Sequence, residues 1–332
     1  TVKIPVSGSG RIKLELSPSR INAAVANGKT GTIVTEGGQV YMQAAALSSA
    51  VASIIQSGSI DTTGAQGGAV HLLTDGGTIQ VNGSITANSS GKDEQGQQRK
   101  GGDIVVGRDE DTGSLAKSTN VSGAKLESQG GFVETSGHEL TVDGAMVRAS
   151  SWLLDPDNID ITGEAVAATA GYSKIKASDI ATALNAGTSV TVATTAANQV
   201  IQPAYKDTAG TGAGSAVAGD GNILVNAAIV KSGASNASLT LTADNGITVN
   251  QRVGKASGDT SSTGKLDVTM TASGNAATVT NRSGLTLNSV IDAGDGNVIL
   301  SGTNSNTNGG SRGVNFNNGS GITANTITVT GT

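Results

Sequence analysis

Five times between residues 37 and 131 a pair of glycines is followed at once by alternating apolar and polar residues: GGQVYM from Gly37, GGAVHL from Gly67, GGTIQV from Gly76, GGDIVV from Gly101 and GGFVET from Gly130. Glycine supplies the corner, and a period of two sends one face of the following strand to a dry core and the other to solvent. Apart from the close pair at Gly67 and Gly76, the starts recur at intervals that fall in the range marking solenoids. A second pattern is interleaved with the first, a small turn followed by apolar positions, in residues 57–61 (SGSID), 82–87 (NGSITA), 143–149 (DGAMVRA) and 246–250 (GITVN). Together they predict an all-β chain, a right-handed parallel β-helix with a few short helical or loop excursions. Two strand types per turn imply a coil of about 22 residues.

Composition narrows the core. Aromatic residues are 2% of the chain and prolines number 4 against 48 glycines, so Val, Ile, Leu and Ala must fill a thin interior. Charged residues are 14%, well under the usual quarter, and Thr, Ser, Asn and Gln take their place on the surface. The net charge of −5 and the lack of a Lys/Arg run argue against nucleic acid as a partner. Residues 92–100 (KDEQGQQRK), bracketed by Gly91 and Gly101, read as a solvated loop. The absence of cysteine excludes a disulfide framework and thiol chemistry, and suits a chain that stays unfolded while crossing an outer membrane. No stretch approaches the roughly 20 apolar residues of a membrane span, so no membrane insertion is expected. Thr1 does not open a signal sequence, and an export signal is expected upstream of it.

Three regions follow: β-helix coils over 1–162; a short helix, strand and Gly/Ala-rich loop over 163–222; and a continuing β-helix over 223–332. Residues 42–55 (MQAAALSSAVASII) hold no Gly or Pro and predict either a short helical excursion, the preferred reading, or an unusually apolar strand pair. In residues 177–194, Ser178 is placed to cap a short helix, Ile180, Ala181 and Leu184 share a face, and Gly187 ends it before a strand. Residues 194–221, with Pro203 and a Gly/Ala run, read as a loop or hinge. From Gly221 strands are expected near 221–226, 239–243, 247–250, 266–271, 277–281, 285–287, 298–301 and 327–330. Val133, Leu140, Val142, Ile159 and Ile161 are expected to point inward.

Candidate chemistry is weighed against simpler roles. Asp155, Asp157 and Asp160 could serve a carbohydrate-active β-helix as acid, base or calcium ligands, but an Asp-Pro turn followed by an Asx turn explains them. Asp244-Asn245-Gly246 and residues 292–297 (DAGDGN) lack the spacing of calcium loops and read as coil corners. His71 and His138 lie on different coils without cysteine, which leaves no zinc set; each reads as a partly exposed strand or turn residue. Gly212-Ala213-Gly214 lacks the spacing of a phosphate loop. Trp152 reads as a core filler or cap rather than a sugar-stacking ring. The Asn, Ser and Thr of residues 301–318 form stacked rows or solubilise the surface. No catalytic, metal or cofactor-binding residue is assigned, no cofactor is implied, and the chain is not expected to be an enzyme.

Residues 130–161 (GGFVETSGHELTVDGAMVRASSWLLDPDNIDI) resemble the segment that follows the secretion domain in filamentous haemagglutinin-like exoproteins and high-molecular-weight adhesins of two-partner secretion systems. Residues 21–60, 178–194 and 221–250 are similar to the coils around that segment. The secretion domain is missing, since no Asn-Pro-Asn-Leu element occurs. The resemblance implies a rod-like segment of a secreted adhesin at the bacterial cell surface, attaching to host cells, other bacteria or biofilm matrix. It implies an outer-membrane transporter as partner through the upstream domain, and host glycans or surface proteins as ligands. Exoproteins of this group also include toxin-delivery stalks and haem- or carrier-protein-capturing chains, which stand as alternatives.

Overall fold

The computed structural model describes residues 11–19, 23–46, 52–109, 111–194, 221–274, 283–304 and 312–332. The named strands pair in parallel, nearly all with a counterpart one coil away, in a parallel β-helix. Contacts divide the chain at Leu154/Asp155 into two compact units.

In the first unit each coil contributes three strands. One face stacks Arg11–Ser19, Gln39–Ala46, Ala69–Thr74 and Asp103–Val106 against the second half of Lys125–Ser136. Its inward column Val40, Val70, Ile104 and Val133 is in register from coil to coil and fully buried. A second face stacks Ala23–Asn27, Ala52–Gln56, Thr78–Val81, Ser118–Asn120 and Glu139–Thr141. A third, shorter face stacks Thr32–Val34, Ser59–Asp61, Ser84–Thr86 and the first half of Lys125–Ser136, with Ile33, Ile60, Ile85 and Leu126 in one column. Each such Ile, Leu or Val contributes about 1.5–3 kcal/mol by leaving water, and each column exists because the sequence alternates at period two.

The second unit repeats this plan. Val190, Leu239, Val268, Val298 and Ile327 form one column; Ile161, Val225, Val249 and Leu287 another; Ile229, Val253, Ile291 and Ile322 a third. One coil carries the first column from Val268 to Val298, and the next carries it to Ile327. The coil is therefore longer than expected, because three strands and three corners make a turn instead of two. All five residues expected inward, Val133, Leu140, Val142, Ile159 and Ile161, are at most 2% exposed.

Two local expectations are corrected. Within 42–55 the described residues are strand, in Gln39–Ala46 and Ala52–Gln56. Met42, Ala44, Ala52 and Ile54 go inward at period two, so stacking between coils overrides the helix propensity of alanine; residues 47–51 lie outside the described residues. The second correction concerns the helix, which does form at Ala177–Asn185, the sole α-helix among the described residues. Its N-cap is Lys176, without a side-chain cap bond. Ser178 sits inside the first turn, and its hydroxyl donates to Glu164. That bond, with Lys176 as a second donor, holds the Glu164 carboxyl below its ordinary range. Ala177, Ile180, Ala183 and Leu184 form the buried stripe, and Gly187 follows the last turn with φ +88. Strand Ser189–Thr194 comes next, as expected. The loop expected at 194–221 and the strand at 277–281 fall mostly or wholly outside the described residues.

Candidate functional site

Asp155, Asp157 and Asp160 are 3%, 6% and 2% exposed, so none stands at a surface corner. Asp160 belongs to strand Ile159–Thr162, and its partners lie 9 and 66 residues along the chain. One carboxylate oxygen accepts the N–H and hydroxyl of Thr169, both at 2.8 Å, and the other accepts the amide of Asn226 at 2.8 Å. The Asx-turn account is therefore replaced for Asp160, which terminates a row of amides running from coil to coil. Asn317 donates to Asn288, Asn288 to Asn250 and Asn250 to Asn226, at 2.6, 2.6 and 2.7 Å. A second row runs inside, with the Asn245 amide donating to Asn222 Oδ1 and the Asn222 N–H to Asn158 Oδ1, at 2.8 and 2.7 Å. Every link points one way, so an acceptor without donors of its own must end the outer row. An ionised Asp meets that need on both oxygens, whereas Asn brings an NH2 to face a donor. Asp160→Asn is expected to lower unfolding free energy by about 1–3 kcal/mol; urea unfolding with no loss of stability would show that the row does not depend on its end.

The remaining residues singled out in the sequence are dispersed. Trp152 is fully buried and its indole N–H donates to Thr135 Oγ1 at 3.0 Å, which makes it a core residue. His71 and His138 are each 5% exposed, buried rather than partly exposed. His71 stacks on Tyr41 of the neighbouring coil with ring centroids 4.5 Å apart, and this stacking covers it. Residues 292–297 form a corner with Gly294 at φ +58, and Asp292 pairs with Arg252 at 3.4 Å. Residues 92–98 are exposed. Among the described residues no three His, Asp or Glu side chains gather in a set that could hold a metal ion.

A recess in the first unit was not anticipated. Between the second and third faces, successive corners differ in length: residues 28–31 (GKTG), 57–58 (SG), 82–83 (NG) and 121–124 (VSGA). Two short corners thus lie between two long ones, and a hollow of about 450 Å³ opens over them. Its floor is Ser57, Gly58, Ser59, Asn82, Gly83 and Ser84; Lys29 and Lys125 stand at its two ends. Thr32, Ser59, Ser84 and Lys125 are in register on four successive coils. Coil stacking allows only glycine at the second position of each short corner: a Cβ on Gly58 would lie 2.2 Å from the Gly31 carbonyl oxygen, and one on Gly83 would lie 2.1 Å from that of Gly58. The corner N–H groups of Ser57, Ser59, Asn82, Ser84 and Lys125 donate to the preceding coil. The polar groups left facing the recess are therefore hydroxyls, an amide and two ammonium groups. Among the described residues no acidic side chain pairs with Lys29 or Lys125. The sequence signal was the corner length, GKTG against SG and NG, which becomes informative only once the corners are aligned.

No protein-family profile, no curated protein and no solved structure matches this chain.

Proposed function

We propose that the chain is a β-helical segment of a secreted bacterial surface adhesin of the filamentous haemagglutinin kind, and that it attaches by its side walls without catalysing a reaction. The observation that supports this reading is the makeup of the outward faces. The core columns are closed, while rows of Ser, Thr and Asn face out at every coil and bond to one another between coils, as in Ser59 to Thr32 and Asn288 to Asn250. Such a wall is rigid, neutral and rich in hydroxyls and amides, and it offers many weak contacts at a fixed repeat. Repeated display turns such contacts into attachment through effective concentration.

Attachment is tested with micron-sized beads carrying the purified chain, applied under flow to epithelial monolayers and to bacterial mats beside beads carrying albumin. Several-fold more beads are expected to be retained with the chain on at least one surface. Equal retention on all surfaces would overturn the adhesin reading.

A further inference from the structure

We infer that the recess between Lys29 and Lys125 is a binding site for an acidic polysaccharide, one strand of which lies along the coil axis across the short corners; the inference rests on the adhesin reading and names the ligand class of one located site.

The shape comes first. The floor covers the two short corners and its ends are the corners at 28–31 and 121–124, so the end coils are three steps of coil stacking apart, roughly 14 Å at about 4.8 Å per step. That span suits a few sugar residues of a linear chain. The repeat comes second. Thr32, Ser59 and Ser84 place one hydroxyl on each of three coils in strict register, a period close to the advance of one pyranose along an extended glycan. Each sugar thereby meets its own hydroxyl, with Asn82 adding amide donor and acceptor capacity at the floor.

Charge completes the selection. Neither Lys29 nor Lys125 is in an ion pair among the described residues, in a protein of net charge −5, so both ammonium groups are available to a ligand. Two ammonium groups at the ends and neutral hydroxyls between them fit a polymer whose carboxylates recur at intervals with neutral hydroxylated units between. They fit a uniformly charged chain less well, since its middle charges would face only hydroxyls. A peptide strand gains little here, because the corner N–H groups on the floor are already committed to the preceding coil and offer no edge for strand addition. The floor has no aromatic ring, so affinity at one site is weak and depends on salt.

The probe is a hexasaccharide of alternating glucuronate and N-acetylglucosamine, titrated into the whole chain at low salt and followed by amide NMR shifts and by calorimetry. The neutral N-acetylglucosamine hexamer and hexaglutamate serve as comparisons. The acidic sugar is expected to shift the amides of Gly58, Ser59, Gly83 and Ser84 and to bind at least tenfold more tightly than either comparison. The pair Lys29→Glu with Lys125→Glu is expected to weaken it at least tenfold with an unchanged circular dichroism spectrum. If that pair does not fold, Lys29→Gln with Lys125→Gln, which keeps the stems, is expected to weaken it at least threefold. Equal binding of the neutral hexamer or of hexaglutamate, undiminished binding by the folded lysine variants, or shifts confined to other coils would overturn the site. If the sugar fails to bind while beads carrying the chain are still retained on cells, the site falls and the adhesin reading stands; if the beads also fail, both fall.

Discussion

Trp152→Ala is expected to lower the unfolding free energy by about 3–5 kcal/mol, the range for removing a fully buried aromatic ring, and to move the urea midpoint down by about 1 M. Trp152 is fully buried within strand Met146–Asp155, and it is the sole tryptophan in a chain whose aromatic residues amount to 2%. A thin core of stacked aliphatic columns cannot collapse into so large a hole without breaking coil register. The loss also strands Thr135, itself fully buried, whose Oγ1 accepts the indole N–H at 3.0 Å and donates to the Leu153 carbonyl at 3.4 Å. Trp152→Phe keeps most of the ring volume but not the donor, and is expected to cost about 1–2 kcal/mol. Both are read by far-UV circular dichroism during urea unfolding. An alanine variant within about 1 kcal/mol of the native chain would show that the ring is not a structural anchor.

Lys231→Met works in the opposite direction, with an expected gain on the order of 1–3 kcal/mol at neutral pH, as when a buried charge gives way to an apolar side chain of like length. Lys231 is fully buried in the second unit, and its ammonium donates to the Gly233 carbonyl at 2.7 Å. Burial pushes its pKa below the ordinary 10.5, and the charge of Lys255 adds to the effect. The sign follows from proton binding. Between the lowered folded value and about 10.5 the unfolded chain holds the proton that the folded chain has released, so stability rises with pH across that window. Below the window both states are protonated and the folded state carries the full desolvation cost. The methionine variant removes both the cost and the alkaline rise, and the half-buried Gly233 carbonyl keeps access to water. Thermal unfolding from pH 7 to 10.5 checks this: a native curve that is flat, or a methionine variant that is less stable, would mean that the ammonium is compensated in place.

The core columns were legible in the sequence because their signal is local. Val133, Leu140, Val142, Ile159 and Ile161 could be assigned inward from their alternation, and all five are buried. The helix at Ala177–Asn185 was legible for the same kind of reason, a one-sided apolar stripe ended by Gly187. The alanine-rich second half of strand Gln39–Ala46 was not, since a run of alanines suits either structure and only the neighbouring coil chooses between them. The histidines misled in a related way, because the ring that covers His71 is Tyr41 of the neighbouring coil, a whole turn away along the chain, and it leaves no local trace.

The role of Asp160 and the Lys29–Lys125 recess lie further from the sequence. Asp160 meets Asn226 beside the neighbouring strand, 66 residues along the chain, and the recess depends on four corners drawn from four coils. By itself the sequence determined that each strand has a dry and a wet face and that glycine stands at the corners, since side-chain alternation and backbone sterics act within a few residues. Which amide meets which carboxylate, and which corners stand proud of their neighbours, was decided by tertiary structure alone. Parallel stacking fixes coils about 4.8 Å apart whatever their length, so an insertion in one coil changes the surface only relative to the coils above and below it.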